Sequence, residues 1–233
     1  MALFARNDTE MMGGRNTFQT TSWSLVRSIQ DVKALDTLIS IYWKPLYFFV
    51  RQKGNDNETA KDIVQDFLTS LLSKHTLQKA DAARGRFRTF LLAALENFMK
   101  DRLKSASREK RGGGQKIVSL DFSTGEKEYT LQVRAGESPE TVLNRAWARS
   151  LWEDSLARLQ GEASHLEALK MYLADSDYKH ISAKTGLSES AAKTAVHRLR
   201  GQLRTIITNH IRETVSSDED LRGEVAEFME LLR

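Results

Sequence analysis

Apolar residues recur at steps of three and four along most of this chain, the spacing of helices that bury one face. Such stretches lie at residues 35–50, 63–72 and 87–98. Glycines interrupt or end the pattern at Gly54 and at residues 112–114. The pattern therefore predicts a helical domain over residues 21–111, preceded by a flexible polar tail at residues 1–20.

The segment at residues 112–139 lacks this period and is predicted to be a linker. Its two short apolar runs, residues 117–122 and 129–133, could pair as a β-hairpin, and an extended linker fits them equally. Pro139 follows a serine and precedes a glutamate, which is typical of a helix start. A second helical domain is predicted over residues 140–212. The predicted fold is thus all-α, with two helical domains joined by a linker.

Residues 178–204 carry the strongest local pattern, that of a helix-turn-helix. Gly186 permits a left-handed turn, and Ser188 can cap the helix that follows. The buried stripe of that helix is predicted at Ala192, Val196 and Leu199. The residues left outside mix short polar groups with cations, as a DNA-recognition helix requires. These candidate DNA contacts are Ser188, Glu189, Ser190, Lys193, Thr194, His197 and Arg198. The alternative is a helical hairpin that packs against protein.

The C-terminal segment, residues 213–233, is acidic and has an apolar stripe at helical spacing. It is predicted to dock as a short helix that modulates activity and is not needed for folding. Its charge suits a helix that folds back over a basic DNA-binding surface and competes with DNA. Simple packing on the second domain fits the same pattern.

The amino-acid composition excludes several kinds of site and segment. The 233 residues include no cysteine, which excludes disulfides and cysteine-ligated zinc. No two of the five histidines lie three or four residues apart, so a histidine-pair metal site on a helix is not expected. No apolar run approaches the ~20 residues of a membrane span, and the N-terminus lacks the apolar core of a secretory signal. We therefore expect a cytoplasmic protein that makes no contact with a membrane and needs no cofactor.

The net charge of +4 hides an uneven distribution of charge. Residues 84–116 hold 10 basic and 3 acidic side chains, and residues 179–212 hold 7 basic and 1 acidic, whereas the stretches that follow each block are acidic. Two basic blocks indicate two contacts with one long polyanion. Solvated helix surfaces without a partner are the alternative for either block alone.

Three motifs, in this order along the chain, resemble the two-domain sigma factors of bacterial RNA polymerase. The resemblance spans roughly residues 23–233, and the type is the extracytoplasmic-function group of the sigma-70 family, closest to a planctomycete-like branch. Its motifs are Asp62-Ile63-Val64-Gln65-Asp66-Phe67, then Phe87-Arg88-Thr89-Phe90-Leu91 with Asn97 and Asp101, and Ser188 to Arg200.

The resemblance implies a role for each motif. The first would bind the β′ clamp helices of core RNA polymerase through Asp62, Gln65, Asp66 and Thr69. The second would open and read the minus-ten promoter element, with contacts from Arg88, Asn97, Lys100, Lys104, Arg108, Lys110 and Arg111. The third would read the minus-thirty-five element, in a domain that meets the β flap. The implied partners are thus core polymerase and promoter DNA, with an anti-sigma factor or a Ser/Thr kinase as a regulator, and the protein is not expected to be an enzyme.

Two other functions fit part of the sequence. Glu58, Asp62 and Asp66 share one helix face and could hold Mg²⁺ in an enzyme, but no second acidic motif accompanies them. A stand-alone helix-turn-helix regulator would explain the second domain only.

Thr59 stands where the sigma family often has an acidic residue, and Lys61 replaces another. Phosphorylation of Thr59 would restore negative charge near a helix N-terminus, where the helix dipole favours it. Thr59 is therefore a candidate phosphorylation site that would switch polymerase binding on. A structural role in the first turn of the helix is the alternative.

Overall fold

The computed structural model describes residues 32–73, 86–106, 120–134, 136–215 and 217–232. Within these ranges the chain forms nine α-helices and no strand, which confirms the all-α fold. The helices are α1 Val32–Gln52, α2 Asn57–Ser73, α3 Phe87–Ala106, α4 Phe122–Gln132, α5 Pro139–Ala157, α6 Ala163–Leu173, α7 Tyr178–Thr185, α8 Glu189–Arg212 and α9 Asp218–Leu231.

The described residues fall into two compact units. The first unit lies within residues 21–151 and 211–232, and the second unit comprises residues 152–210. These limits differ from the domain boundaries expected from sequence, because residues 140–151 and the C-terminal helix α9 cluster with the first unit. The acidic segment does form the predicted helix, and its packing partners are in the first unit.

The core of the first unit is built on α1, which continues as a helix through Pro45. Leu46, Tyr47, Phe49 and Val50 are almost completely buried. The buried stripe of α2, predicted from its apolar spacing, completes this part of the core with Ile63, Val64, Phe67, Leu68 and Leu71.

The hairpin considered for residues 117–133 is wrong, because residues 122–132 form helix α4. The carboxylate of Asp121 caps the helix, accepting a hydrogen bond from the backbone N–H of Thr124 at 3.3 Å. The ring of Phe122 packs edge-on against Trp43, with ring centroids 5.5 Å apart. Gly125 faces the same indole, where a Cβ atom would lie 3.0 Å from it. The apolar contacts of α4 thus follow helical spacing. Residues 117–119 lie outside the described residues.

The second unit contains α6, α7 and most of α8. Gly186 ends α7 in the left-handed region, at φ 73°, and its N–H donates to the carbonyl of Ser182. Ser188 accepts a hydrogen bond from the backbone N–H of Ala191 at 3.2 Å, as expected of a helix cap. Ala192, Val196 and Leu199 are buried as predicted.

Candidate nucleic-acid interface

The face of α2 opposite its buried stripe carries the four residues predicted to bind polymerase. Asp62 and Asp66 are exposed, whereas Gln65 and Thr69 are half-buried. Asp66 forms an ion pair with Arg102 of α3, so the acidic face of α2 adjoins the basic helix that follows it. The structure thus brings the four residues onto one accessible surface.

Thr59 lies in the first turn of α2. Its backbone N–H donates to Asp56 Oδ1 at 2.8 Å, and its hydroxyl donates to Asp56 Oδ2 at 3.1 Å. These hydrogen bonds hold the pKa of Asp56 below its usual value. The hydroxyl is therefore part of the helix cap, and a phosphate there would stand next to the Asp56 carboxylate. The geometry favours the structural role of Thr59 over phosphorylation.

Helix α3 presents Asn97, Lys100 and Lys104 to solvent. Leu103, beside these lysines, is 74% exposed. The exposed face also carries the Asp101 carboxylate, 3.9 Å from Lys104 Nζ. Its amide, two cations and apolar side chain are groups that suit the bases and phosphates of a nucleic acid strand. The predicted contacts Arg108, Lys110 and Arg111 lie outside the described residues.

The seven predicted DNA contacts at residues 188–198 are all exposed. Ser188 caps α8, and the other six lie along the N-terminal half of that helix. The ammonium of Lys193 lies 5.4 Å from the ring centroid of Tyr178, at the start of α7. Arg198 Nη2 lies 3.2 Å from His165 Nδ1 on α6. Neighbouring helices thus support two of the cations on this face.

Comparison with known families gives a match within the first unit, over part of its helices. Residues 38–109 match the sequence model of sigma-70 region 2. This region-2 segment contains most of α1 and all of α2 and α3, but it covers less than half of the chain. No curated protein and no solved structure gives a significant match to the chain.

One predicted contact of the region-2 segment has a different role. Arg88 is only 6% exposed. Its Nη2 lies 2.9 Å from Glu227 Oε1 and 3.2 Å from Glu224 Oε1 of α9, and its guanidinium lies 4.1 Å from the Trp147 ring centroid. A buried and paired arginine does not reach DNA in this conformation. The expectation that Arg88 belongs to the exposed basic surface is therefore corrected.

The cluster around Arg88 was missed by sequence reasoning. The sequence shows only one half of the cluster, the acidic pair Glu224 and Glu227, which lie three residues apart next to the apolar positions of α9. These carboxylates pair with Arg86 and Arg88, more than 130 positions earlier in the chain. No local pattern specifies a partner at that distance.

The carboxylates considered for a metal ion have cationic neighbours. Glu58 pairs with Lys61 at 2.7 Å, and Asp66 pairs with Arg102. Among the described residues, no group of three His, Asp or Glu side chains is placed to hold a metal ion. None of the helices in the described ranges has the length and apolarity needed to cross a bilayer.

Proposed function

We propose that this protein is a sigma factor of the sigma-70 family, of the extracytoplasmic-function type, which binds core RNA polymerase and directs promoter-specific initiation. The observation that carries the proposal is the match of residues 38–109 to sigma-70 region 2. A second unit with an exposed, cation-bearing helix supports it, because a two-domain sigma factor needs a second DNA contact. The second contact would read the minus-thirty-five element.

The polymerase contact is assigned to the exposed face of α2. Asp62 and Asp66 give this face negative charge, which would complement a basic surface on the β′ clamp helices. Gln65 and Thr69 extend the same face with neutral groups that donate and accept hydrogen bonds.

The contact with the minus-ten element is assigned to the exposed face of α3. Unstacking a base of the opened strand costs a few kcal/mol, which the protein must offset by binding the strand. Lys100 and Lys104 would contact phosphates, and the Asn97 amide would pair with a base edge. Leu103 would contact the apolar face of a base or sugar between those polar contacts.

The minus-thirty-five contact is assigned to α8. Ser190 and Thr194 are short and lie near its N-terminus, where backbone N–H groups and the helix dipole favour a nearby phosphate. The Thr194 hydroxyl donates to the Ser190 carbonyl at 3.0 Å, and its lone pairs remain able to accept from a base. Lys193 and Arg198 would bind phosphates on either side.

Run-off transcription with fragmented genomic DNA tests the proposal against a stand-alone regulator. The full chain is assayed with bacterial core polymerase, without it, and with core enzyme alone. A sigma factor yields discrete transcripts only when both proteins are present. Tight binding of the chain to duplex DNA without core enzyme, together with no transcripts above the core-only reaction, would show a regulator instead.

A further inference from the structure

We propose that the C-terminal helix α9 fixes the first turn of α3 and that Glu224 is the positioning residue. The ion pairs of Glu224 and Glu227 with Arg86 and Arg88 are called the clamp below. The proposal rests on the function proposed above, since α3 is the helix assigned to opening the minus-ten element. It concerns residues well beyond the region-2 segment, which ends at residue 109.

The first observation is how α3 begins. The backbone N–H of Phe87 donates to the carbonyl of Thr214 at 3.1 Å. The first N–H groups of a helix have no partner within the helix and need one from elsewhere. Here the partner comes from the segment that leads into α9. The N-terminus of α3 is therefore completed by the C-terminal part of the chain.

The second observation is a pair of arginines that flanks the same point. Arg86 Nη1 lies 2.8 Å from Glu224 Oε2 and also pairs with Glu227. On the other side of Phe87, Arg88 pairs with the same two carboxylates. Two arginines that share two glutamates fix the rotation of α3 as well as its position.

The third observation is burial. Glu224 is 2% exposed, and burial raises the pKa of its carboxyl although Arg88 and Arg86 lower it. Within the described part of the chain, Arg88 Nη1 has no hydrogen-bond partner. A buried ion pair of this kind contributes little net stability, because desolvation offsets the attraction between the charges. Its directional contacts, in contrast, specify one geometry.

Aromatic packing also fixes the position of Arg88. The Arg88 guanidinium lies over the Trp147 ring, and Phe228 of α9 meets that indole edge-on, with centroids 6.0 Å apart. The arginine is therefore held between an indole from α5 and a carboxylate from α9. This arrangement restricts the first turn of α3.

The consequence concerns the exposed face in the second half of α3. Asn97 lies nine residues after Arg88, about 13 Å along a straight helix. A small tilt or rotation at the first turn would therefore displace Asn97, Lys100 and Lys104 together. The clamp would set the placement of this face on the opened strand, with little effect on the polymerase contact of α2 or the duplex contact of α8.

The test compares Glu224→Gln, which keeps the side-chain shape but removes its charge, with the matched variant Glu230→Gln. Glu230 lies on the same helix and is exposed. Three quantities are measured on the full chain. The first two are its affinity for core polymerase and its affinity for duplex promoter DNA. The third is strand opening, followed with 2-aminopurine placed in the minus-ten region of a promoter fragment that the run-off experiment identifies. Native hydrogen exchange of the α3 amides is measured without polymerase or DNA.

We expect Glu224→Gln to reduce strand opening by roughly tenfold, within the range of indirect coupling, and to change both affinities by less than about twofold. Exchange should accelerate in the first turn of α3 and stay unchanged in α2. Glu224→Asp should restore part of the opening, and Glu230→Gln should behave like the unmodified chain.

Several results would overturn the positioning role. Unchanged opening and unchanged exchange in folded Glu224→Gln would show that the clamp does not act on α3. Equal losses in opening and in both affinities would show a general folding defect. Increased opening would show that α9 masks Arg86 and Arg88 from DNA. If the unmodified chain opens no promoter at all, the proposed function fails, while the exchange measurement still decides whether the clamp exists.

Discussion

Truncating Phe228 tests whether α9 is part of the folded core. Phe228 is fully buried and packs edge-on against Trp147 at 6.0 Å. Replacing a buried phenylalanine with alanine removes the transfer free energy of the ring and leaves a cavity, at a cost of about 3–5 kcal/mol. Phe228→Ala should therefore lower the free energy of unfolding of the first unit by that amount, which corresponds to a drop in melting temperature on the order of 10 °C.

Urea unfolding followed by far-ultraviolet circular dichroism gives the measurement, with Leu131→Ala as the matched control. Leu131 is in the same unit and is 86% exposed, so its truncation should cost less than about 0.5 kcal/mol. A loss below about 1 kcal/mol for Phe228→Ala would refute the reasoning. The C-terminal segment would then be the dispensable tail that the sequence suggested.

Three smaller changes test other parts of the structure. Gly186→Ala should cost about 1 kcal/mol in a thermal melt, because Gly186 has a positive φ of 73° and the added Cβ meets no atom within 4 Å. Lys193→Ala should weaken binding to every DNA duplex alike and reduce the slope of log affinity against log salt by about one. Hydrogen bonds from Arg145 and from the backbone of Arg134 lower the pKa of Glu137 to about 2. Its contribution to stability is therefore present above the unfolded-state pKa near 4.5 and is lost as pH falls towards 2, so Glu137→Gln should flatten the acid side of a stability–pH profile.

The amphipathic helices were predictable because apolar spacing alone identifies the face that each helix buries. The buried stripes of α2 and α8 were predicted correctly, because apolar residues that recur every 3.6 positions mark one face of a helix. The turn at Gly186 was also predictable from local sequence, because glycine adopts a positive φ without the steric strain that a Cβ atom causes.

Helix α4 and the Arg88 cluster were not predictable, for different reasons. The segment at residues 122–132 contains Tyr, Thr and Gly, whose local preferences do not favour a helix, and its helical form depends on packing against α1. Arg88 lies in a strongly basic stretch, so its sequence surroundings indicated an exposed DNA contact. Its actual partners on α9 are fixed by tertiary packing between distant parts of the chain.

Binding of the full chain to core RNA polymerase tests the central claim most directly. In a competition assay with fluorescently labelled chain, the unlabelled protein should displace it from core enzyme. Asp62→Lys, which reverses an exposed charge on the α2 face, should weaken the competition by about tenfold, or about 1.4 kcal/mol. The same reversal at exposed Asp36 on α1 should have little effect. Failure of the unmodified chain to bind core enzyme, or equal competition by Asp62→Lys, would contradict the account.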